Sequence, residues 1–250
     1  MRKFKAIQYA PYDETLLDIY LPDGEFRDVF IYFHGGGIEH GSRERDHAVY
    51  ETLAREGIAS VTVDYRMYPN AKYPQFVEDC AASCAWVRDN FAAYAGEGER
   101  RLFMGGSSAG GYLSMLLCFD KRWLGAVGMT PDDFAGYVHD AGQPTKHFNV
   151  LREHGQDTKK IVVDETAPLY YIGDAPSYPP MYFIVSDNDI KNRYEQIQLV
   201  LGTLRHFKYD QSKIKYTLMP GTHCYAMLNV DENGDSYLGK MVAEFIREVK

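Results

Sequence analysis

The pentapeptide Gly106-Ser107-Ser108-Ala109-Gly110 places a serine among small residues. A short apolar segment, 101–104, precedes it and a helical pattern over 109–117 follows. Ser108 is therefore predicted to lie on a sharp turn between a strand and a helix, where the backbone is strained and the hydroxyl projects outward. This context indicates a serine nucleophile. The alternative is a Gly/Ser-rich loop without any chemical role.

A second group of small residues, His34-Gly35-Gly36-Gly37, follows another apolar segment. Glycines at a strand end can turn their backbone N–H groups toward a developing oxyanion. The expected donors are the N–H groups of Gly36 or Gly37 and of Ala109. We expect His34 to brace this loop and to take no part in catalysis.

A serine hydroxyl needs a base, and the base needs a carboxylate that orients it. His223 follows the last apolar segment, and Asp187 and Asp189 follow the one before it. Both positions are strand ends, where open α/β sheets place their sites. Placement alone favours His223 as the base and leaves Asp187 and Asp189 as competing candidates for the acid.

Apolar segments and helical patterns alternate along the chain, which predicts an α/β fold with a mostly parallel sheet and helices on both faces. The predicted parallel strands are 28–33, 58–63, 101–104, 124–129, 181–185 and 214–219, after an antiparallel pair at 4–9 and 16–20. Helices are predicted over 74–91, 109–117, 194–207 and 237–249. Residues 1–250 are predicted to form one domain, and the aperiodic segment 131–180 a short cap over the site.

Composition excludes several classes of function. The formal net charge is −8, with no basic patch, which argues against a nucleic-acid partner. No run of about 18 apolar residues could span a membrane. The basic N-terminus lacks a following apolar segment, so we expect no signal peptide and a cytoplasmic location. The cysteines Cys80 and Cys84 lack zinc-ligand spacing and are expected to be buried, so no metal site is predicted.

Several motifs together resemble the esterase/lipase branch of the α/β-hydrolase family that is related to hormone-sensitive lipase and the small carbohydrate esterases. The resemblance covers roughly 28–225, and its motifs are His34–Gly37, Asp64-Tyr-Arg66 with Pro69, Tyr73-Pro74, Ser108–Gly111, Ala167-Pro-Leu169 and Pro179-Pro180. It implies an eight-stranded sheet, an acyl-enzyme mechanism and no cofactor, and it favours Asp189 as the acid. The chain departs from the branch at Ser107, where an acidic residue often precedes the nucleophile, and at Cys224, where Gly often follows the histidine.

The sequence thus predicts a serine carboxylesterase for small or short-acyl esters, with the catalytic residues Ser108, Asp189 and His223. A carbohydrate esterase that removes acetyl or feruloyl groups is an alternative, with Glu39 and His40 as candidate contacts to the sugar. Ser107 is a further candidate substrate contact. A peptidase or an arylformamidase could use the same three residues, and a non-catalytic binding protein could use the same scaffold. The expected partner is a small-molecule ester, and the sequence leaves a homodimer open.

Overall fold

Eight strands and nine helices alternate along the chain, and the computed structural model describes all 250 residues. The strands are β1 (Arg2–Gln8), β2 (Leu16–Leu21), β3 (Asp28–Phe33), β4 (Ala59–Val63), β5 (Arg101–Ser107), β6 (Gly136–Asp140), β7 (Met181–Asn188) and β8 (Ile214–Thr222). The helices are α1 (His47–Arg55), α2 (Gln75–Asn90), α3 (Ala92–Ala95), α4 (Ala109–Phe119), α5 (Lys121–Ala126), α6 (Phe148–Glu153), α7 (Arg193–His206), α8 (Tyr225–Leu228) and α9 (Tyr237–Glu248).

All eight strands form a single sheet in the order β1-β2-β4-β3-β5-β6-β7-β8. The pairs from β4 through β3 to β8 are parallel, whereas β2 runs antiparallel to both β1 and β4. The predicted α/β fold, the number of strands and the N-terminal antiparallel pair are therefore confirmed. Because the parallel strands share one direction, their carboxyl ends and the loops that follow them lie along one edge of the sheet.

The sheet is apolar on both faces. In β3, Val29, Ile31 and Phe33 pack into a cluster of 45 buried residues together with α2, α4 and α7. The intervening Phe30 and Tyr32 pack into a second cluster of 21 buried residues with α1 and α9. A strand whose side chains are all buried reads as a continuous apolar run, which explains why this strand could be identified from the sequence.

Two predictions fail in the middle of the chain. Residues 124–129, predicted to be a strand, belong instead to α5 and the turn after it, and the Asp120 carboxylate caps this helix by accepting the Arg122 N–H at 3.1 Å. The missing strand is β6, which lies inside the segment predicted to be a cap. The proposed cap of 131–180 is therefore wrong for residues 136–140, which occupy the centre of the sheet.

Strand β6 was not predicted because polar residues interrupt its apolar pattern. His139 and Asp140 are both buried, and each has a hydrogen-bonding neighbour: His139 Nδ1 lies 2.8 Å from Ser114 Oγ, and Asp140 accepts a hydrogen bond from Ser107. The segment between β6 and β7 contains α6 and a 3₁₀ turn over Pro168–Tyr171. That this shorter segment acts as a cap stays a prediction.

The buried cysteines and the helix lengths agree with what the composition suggested. All four cysteines are buried and reduced, including Cys80 and Cys84 on α2. None of the nine helices combines the length and the apolar character needed to cross a bilayer.

A buried polar network lies beneath the carboxyl ends of β3, β5 and β6. Ser107 Oγ donates a 2.6 Å hydrogen bond to the Asp140 carboxylate, and Tyr32 Oη lies 2.9 Å from Ser107 Oγ and 3.1 Å from an oxygen of Asp46. Burial raises the pKa of Asp140 to about 7. The hydrogen bond from Ser107 opposes this shift, and the nearby carboxylates of Asp189 and Asp46 reinforce it.

Because of this raised pKa, the contribution of Asp140 to the free energy of unfolding decreases as the pH rises. Between the ordinary carboxyl pKa of 3.8 and about 7, the folded chain holds a proton on Asp140 that the unfolded chain has released. The contribution of Asp140 to stability is therefore complete at low pH and is lost as the pH rises through about 7, with a slope of at most ~1.4 kcal/mol per pH unit.

We expect Asp140→Asn, whose side chain cannot titrate, to lack this pH-dependent contribution to the free energy of unfolding. The free energy of unfolding, measured by urea denaturation from pH 4 to pH 8, should shift in favour of the variant relative to the unmodified protein as the pH rises. Asp13→Asn removes an exposed carboxylate and is the matched control, whose profile should follow that of the unmodified protein. Parallel profiles for Asp140→Asn and the unmodified protein would contradict this account.

Candidate active site

Ser108 occupies the turn between β5 and α4 in a backbone conformation that L-residues rarely adopt, with φ 55° and ψ −111°. Two backbone hydrogen bonds hold the turn: the Ser108 N–H donates to the Asp140 carbonyl at 2.8 Å, and the Tyr112 N–H donates to the Ser108 carbonyl at 3.0 Å. The strained turn predicted from the sequence is present, and it exposes part of the serine side chain next to a cleft.

The turn requires glycine because three backbone segments meet there. A Cβ on Gly110 would lie 1.9 Å from the carbonyl oxygen of Phe33, and a Cβ on Gly106 would lie 2.5 Å from the carbonyl carbon of Gly110. Any larger residue at either position would push α4 away from β3. The two glycines of the pentapeptide thus set how closely the serine approaches the loop after β3.

Ser108, His223 and Asp189 form a continuous hydrogen-bonded chain. Nε2 of His223 lies 2.8 Å from Ser108 Oγ, and Nδ1 of His223 lies 2.5 Å from Asp189 Oδ1. The three residues come from three separate strand ends, those of β5, β7 and β8. His223 keeps a quarter of its side chain exposed, whereas the Asp189 side chain is 1% exposed.

The environment of Asp189 keeps it ionised although it is buried. Burial acts to raise its pKa, but the hydrogen bond and charge of His223 and the N–H groups of Ile190 and Ser186 outweigh burial, so the pKa of Asp189 lies below its ordinary value. Asp187 has a different role: its carboxylate accepts the Gly221 N–H at 2.9 Å and joins the loops after β7 and β8. The structure therefore pairs His223 with Asp189, the candidate that the family resemblance favoured.

The glycine loop after β3 is fixed from below by His34. The His34 ring is fully buried and stacks on Tyr65 with ring centroids 4.5 Å apart, and its Nδ1 lies 2.7 Å from the Gly35 carbonyl. Gly35 lies directly against the serine turn, since a Cβ there would be 3.3 Å from Cβ of Ser108. His34 thus has the bracing position expected from the sequence.

Three backbone N–H groups near Ser108 are free to bind a ligand. Those of Gly36 and Gly37 have no hydrogen-bond partner in the protein. Ala109 is the first residue of α4, where a helix N–H has no intrahelical acceptor. The loop keeps its shape because the Gly37 carbonyl accepts the Asn149 side-chain amide and the Ile38 carbonyl accepts the Tyr68 N–H at 2.8 Å.

A cleft with a volume of about 550 Å³ opens beside Ser108. Its walls come from the segment after β6 and from the start of α7, and the thirteen lining residues are Ser108, Gln143, His147, Phe148, Thr158, Lys159, Lys160, Ile161, Ile190, Lys191, Asn192, Arg193 and Gln196. This size suits a small-molecule ligand. No group of three or more His, Cys, Asp or Glu side chains is arranged to hold a metal ion.

The residues predicted to contact substrate do not line this cleft. Ser107 is completely buried and its hydroxyl is used by Asp140 and Tyr32, so its prediction as a substrate contact is wrong. Successive side chains of a strand point to opposite sides, and Ser107, the last residue of β5, points toward the buried Tyr32 and Asp140, while Ser108 faces the cleft. Glu39 forms an ion pair with Arg152, and the exposed His40 lies outside the lining of the cleft.

Sequence reasoning missed most of the cleft. Arg193 lies just before the helix predicted over 194–207, and Lys159 and Lys160 lie in a segment without periodicity. His147 is buried, its ring is tilted against that of Phe148 with centroids 4.4 Å apart, and it accepts the Asn149 N–H as the cap of α6. Burial, assisted by Arg193 and Arg152, lowers the pKa of His147 to about 3, so this ring is neutral.

Comparison with known proteins agrees with this architecture. A sequence model of the alpha/beta hydrolase fold matches residues 30–196. An AB hydrolase superfamily protein of Schizosaccharomyces pombe is 32% identical over 183 residues, which cover 64% of this chain and 53% of the relative. An acetyl esterase of Salmonella schwarzengrund is 30% identical over 116 residues, 46% of this chain and 35% of the relative. The chain thus spans about half or less of the length of these relatives.

Solved structures extend the similarity of fold to almost the whole chain. Esterase B from Lactobacillus rhamnosis superposes with a TM-score of 0.78 at 19% identity, covering 99% of this chain and 84% of that one. A truncated carbohydrate esterase from gut microbiota superposes with a TM-score of 0.79 at 18% identity, covering 99% and 96%. Together with the matched residues 30–196, the sheet order and the turn at Ser108, these similarities establish that the chain belongs to the alpha/beta hydrolase family.

Proposed function

We propose that this protein is a serine carboxylesterase that hydrolyses small or short-acyl esters through an acyl-enzyme intermediate. The observation that supports the proposal best is the hydrogen-bonded chain from Ser108 Oγ through His223 to Asp189, with steps of 2.8 and 2.5 Å. Both distances are within hydrogen-bond reach, as a nucleophile and its base require. Esterases among the sequence relatives and structural neighbours support the same reaction class.

In the first half of the reaction, Nε2 of His223 takes the proton of Ser108 as its Oγ bonds to the ester carbonyl carbon. The ionised Asp189 accepts the Nδ1–H of His223, which fixes the tautomer and stabilises the imidazolium that forms. The free N–H groups of Gly36, Gly37 and Ala109 bind the oxyanion, and the positive end of α4 adds to the field there. The C–O bond then breaks, and the leaving alcohol carries away the proton from His223.

In the second half, His223 takes a proton from water, whose oxygen attacks the acyl carbon on Ser108. The same N–H groups bind the second oxyanion. The acyl–serine bond breaks, the proton returns to Ser108, and the carboxylic acid leaves and ionises in solution. The cleft volume of about 550 Å³ is consistent with small substrates.

The alternative of a sugar-directed esterase has weaker support. It depended on substrate contacts by Glu39 and His40, and neither lines the cleft. A peptidase or an arylformamidase would share the proposed triad. Hydrolysis of p-nitrophenyl esters of increasing acyl length, compared with an anilide and N-formylkynurenine, separates these activities.

We expect Ser108→Ala to lower kcat for p-nitrophenyl acetate by about 10⁶-fold, as loss of the nucleophile in a serine triad does. A fluorophosphonate probe should label the unmodified protein and not the variant. Circular dichroism and urea denaturation serve as the folding control. Substantial turnover by a folded Ser108→Ala protein would refute the assignment of the nucleophile.

Substitution of each aspartate in turn should distinguish the role of Asp189 from that of Asp187. Asp189→Asn leaves His223 in the wrong tautomer, so kcat is expected to fall by about 10⁴-fold. Asp187→Asn is the matched control, because an amide oxygen can still accept the Gly221 N–H; its kcat should stay within about twofold, as for an ordinary surface substitution. Equal losses in the two variants would mean that Asp189 has no special role.

The glycine loop can be tested with a pair of substitutions that both place a side chain at a positive φ. Gly36 and Gly57 both have positive φ, at 119° and 79°, but only at Gly36 would a Cβ collide with another atom, 1.7 Å from the His40 carbonyl oxygen. Displacing the loop removes an oxyanion donor, so Gly36→Ala should lower kcat by about 10²- to 10³-fold. Gly57→Ala should cost about 1 kcal/mol of stability and leave kcat unchanged. An unchanged kcat in a folded Gly36→Ala variant would argue against the predicted oxyanion hole.

A further inference from the structure

The cleft beside Ser108 has a charge opposite to that of the whole chain. The chain carries 35 acidic and 27 basic residues, yet four of the thirteen residues that line the cleft are basic and none is acidic. The basic residues are Lys159, Lys160, Lys191 and Arg193. Charges of one sign lining a cleft concentrate the field and raise the local concentration of ligands of opposite sign.

These cations are not balanced by the protein. None of the three lysine ammonium groups lies within 4.0 Å of a carboxylate, although five other lysines of the chain form ion pairs. The acidic groups nearest in sequence to the three lysines have other partners: Asp157 accepts the Lys159 N–H, Asp187 accepts the Gly221 N–H, and Asp189 holds His223. The positive charge of the cleft is therefore available to a ligand.

Arg193 gives the strongest evidence that the cleft binds an anion. It is only 6% exposed and pairs with no carboxylate, and its guanidinium donates to the Ala141 carbonyl at 2.7 Å and to the Gln143 side-chain oxygen at 3.4 Å. Its Nε has no partner. Burial lowers the pKa of Arg193 to about 10, opposed by the charge of Asp189, so the group is still a cation at neutral pH. A buried cation with no carboxylate at ion-pair distance is costly, and an anionic ligand in the cleft offsets that cost.

Apolar side chains lie beside the lysines. Ile161 follows Lys159 and Lys160, and Ile190 precedes Lys191; these two isoleucines are 51% and 49% exposed and line the same cleft. A ligand that satisfies both features has a carbon chain for the isoleucines and an anionic group for the cations. A planar carboxylate also matches the fork of a guanidinium.

We propose that the substrate of the Ser108 site is an anionic ester, one that carries a free carboxylate at the far end of a short carbon chain. The proposal rests on the esterase function proposed above and adds the charge of the substrate. With the carboxylate on the acyl half, hydrolysis of such a monoester with one water yields a dicarboxylate, an alcohol and a proton. With the carboxylate on the alcohol half, the products are a simple carboxylate, a hydroxy acid and a proton.

The experiment compares charged esters with neutral isosteres. Monoethyl adipate and ethyl adipamate differ only in a terminal carboxylate or amide on the acyl half, and 6-acetoxyhexanoate and 6-acetoxyhexanamide differ in the same way on the alcohol half. The kcat/KM ratio of charged to neutral ester should be about tenfold in at least one pair at 20 mM ionic strength, the sum of several partly exposed charge pairs. The ratio should fall toward one at about 0.5 M salt, where screening acts within a few ångströms.

A matched pair of variants assigns the preference to the cleft. In the triple variant Lys159→Gln, Lys160→Gln and Lys191→Gln, the charged-to-neutral ratio should fall severalfold. The control triple variant, Lys72→Gln, Lys121→Gln and Lys213→Gln, removes the same charge from exposed lysines outside the cleft that form no ion pairs, and it should keep the original ratio.

Each result has one meaning. Ratios near one in both ester pairs at low salt, with the neutral esters still hydrolysed, would overturn the charge preference and leave the esterase proposal intact. Equal falls of the ratio in the two triple variants would also overturn it, because the preference would then come from overall charge. No hydrolysis of any of the four esters would instead count against the proposed function.

Discussion

The backbone conformation of Ser108 is the constraint on which the site depends. At φ 55° and ψ −111° this residue is held away from the favoured regions, which costs of order 1–3 kcal/mol, and the surrounding structure must supply that energy. It does so through the hydrogen bond from the Ser108 N–H to Asp140 and through backbone contacts that only Gly106 and Gly110 permit. The same contacts bring the loop after β3 against the serine. One strained turn therefore presents the hydroxyl and also determines where the free N–H groups of that loop lie.

The parallel sheet explains how residues more than 100 positions apart meet. Ser108 and His223 are 115 residues apart, but both follow carboxyl ends of strands in one sheet. Asp189 follows β7, the neighbour of β8, so the carboxylate and the imidazole are adjacent because their strands are paired in register. The hydrogen bond from the Gly221 N–H to Asp187 then fixes the two loops relative to each other. Neighbouring carboxylates thus divide two tasks: one holds the loop and the other holds the imidazole.

Much of the fold and the central residues of the site could be predicted from the sequence, and the failures have identifiable causes. Buried strands such as β3 are continuous apolar runs, and Gly-Ser-Ser-Ala-Gly has a strong geometric meaning, so both were found. Strand β6 was missed because His139 and Asp140 interrupt its apolar pattern, and their buried partners, Ser114 and Ser107, are distant in sequence. The cleft was missed for a related reason: its walls are loops and one helix end, which leave no periodic signal.

Arg193 connects the cleft to the proposed catalytic residues. Arg193 lies at the start of α7, four residues after Asp189, and the charge of the Asp189 carboxylate acts to raise the pKa of Arg193 against the effect of burial. Its guanidinium also holds Ala141 and Gln143, which directly follow β6, and Asp140 at the end of β6 accepts the Ser108 N–H. The charge that would recognise an anionic group is therefore part of the same hydrogen-bonded structure that supports the serine turn. A chain of net charge −8 repels anions at long range, so an anionic ester would gain its binding energy only after entering the cleft, where Arg193 and the three lysines are close. An anionic ester would therefore be selected by the charges inside the cleft and not by long-range attraction to the whole protein.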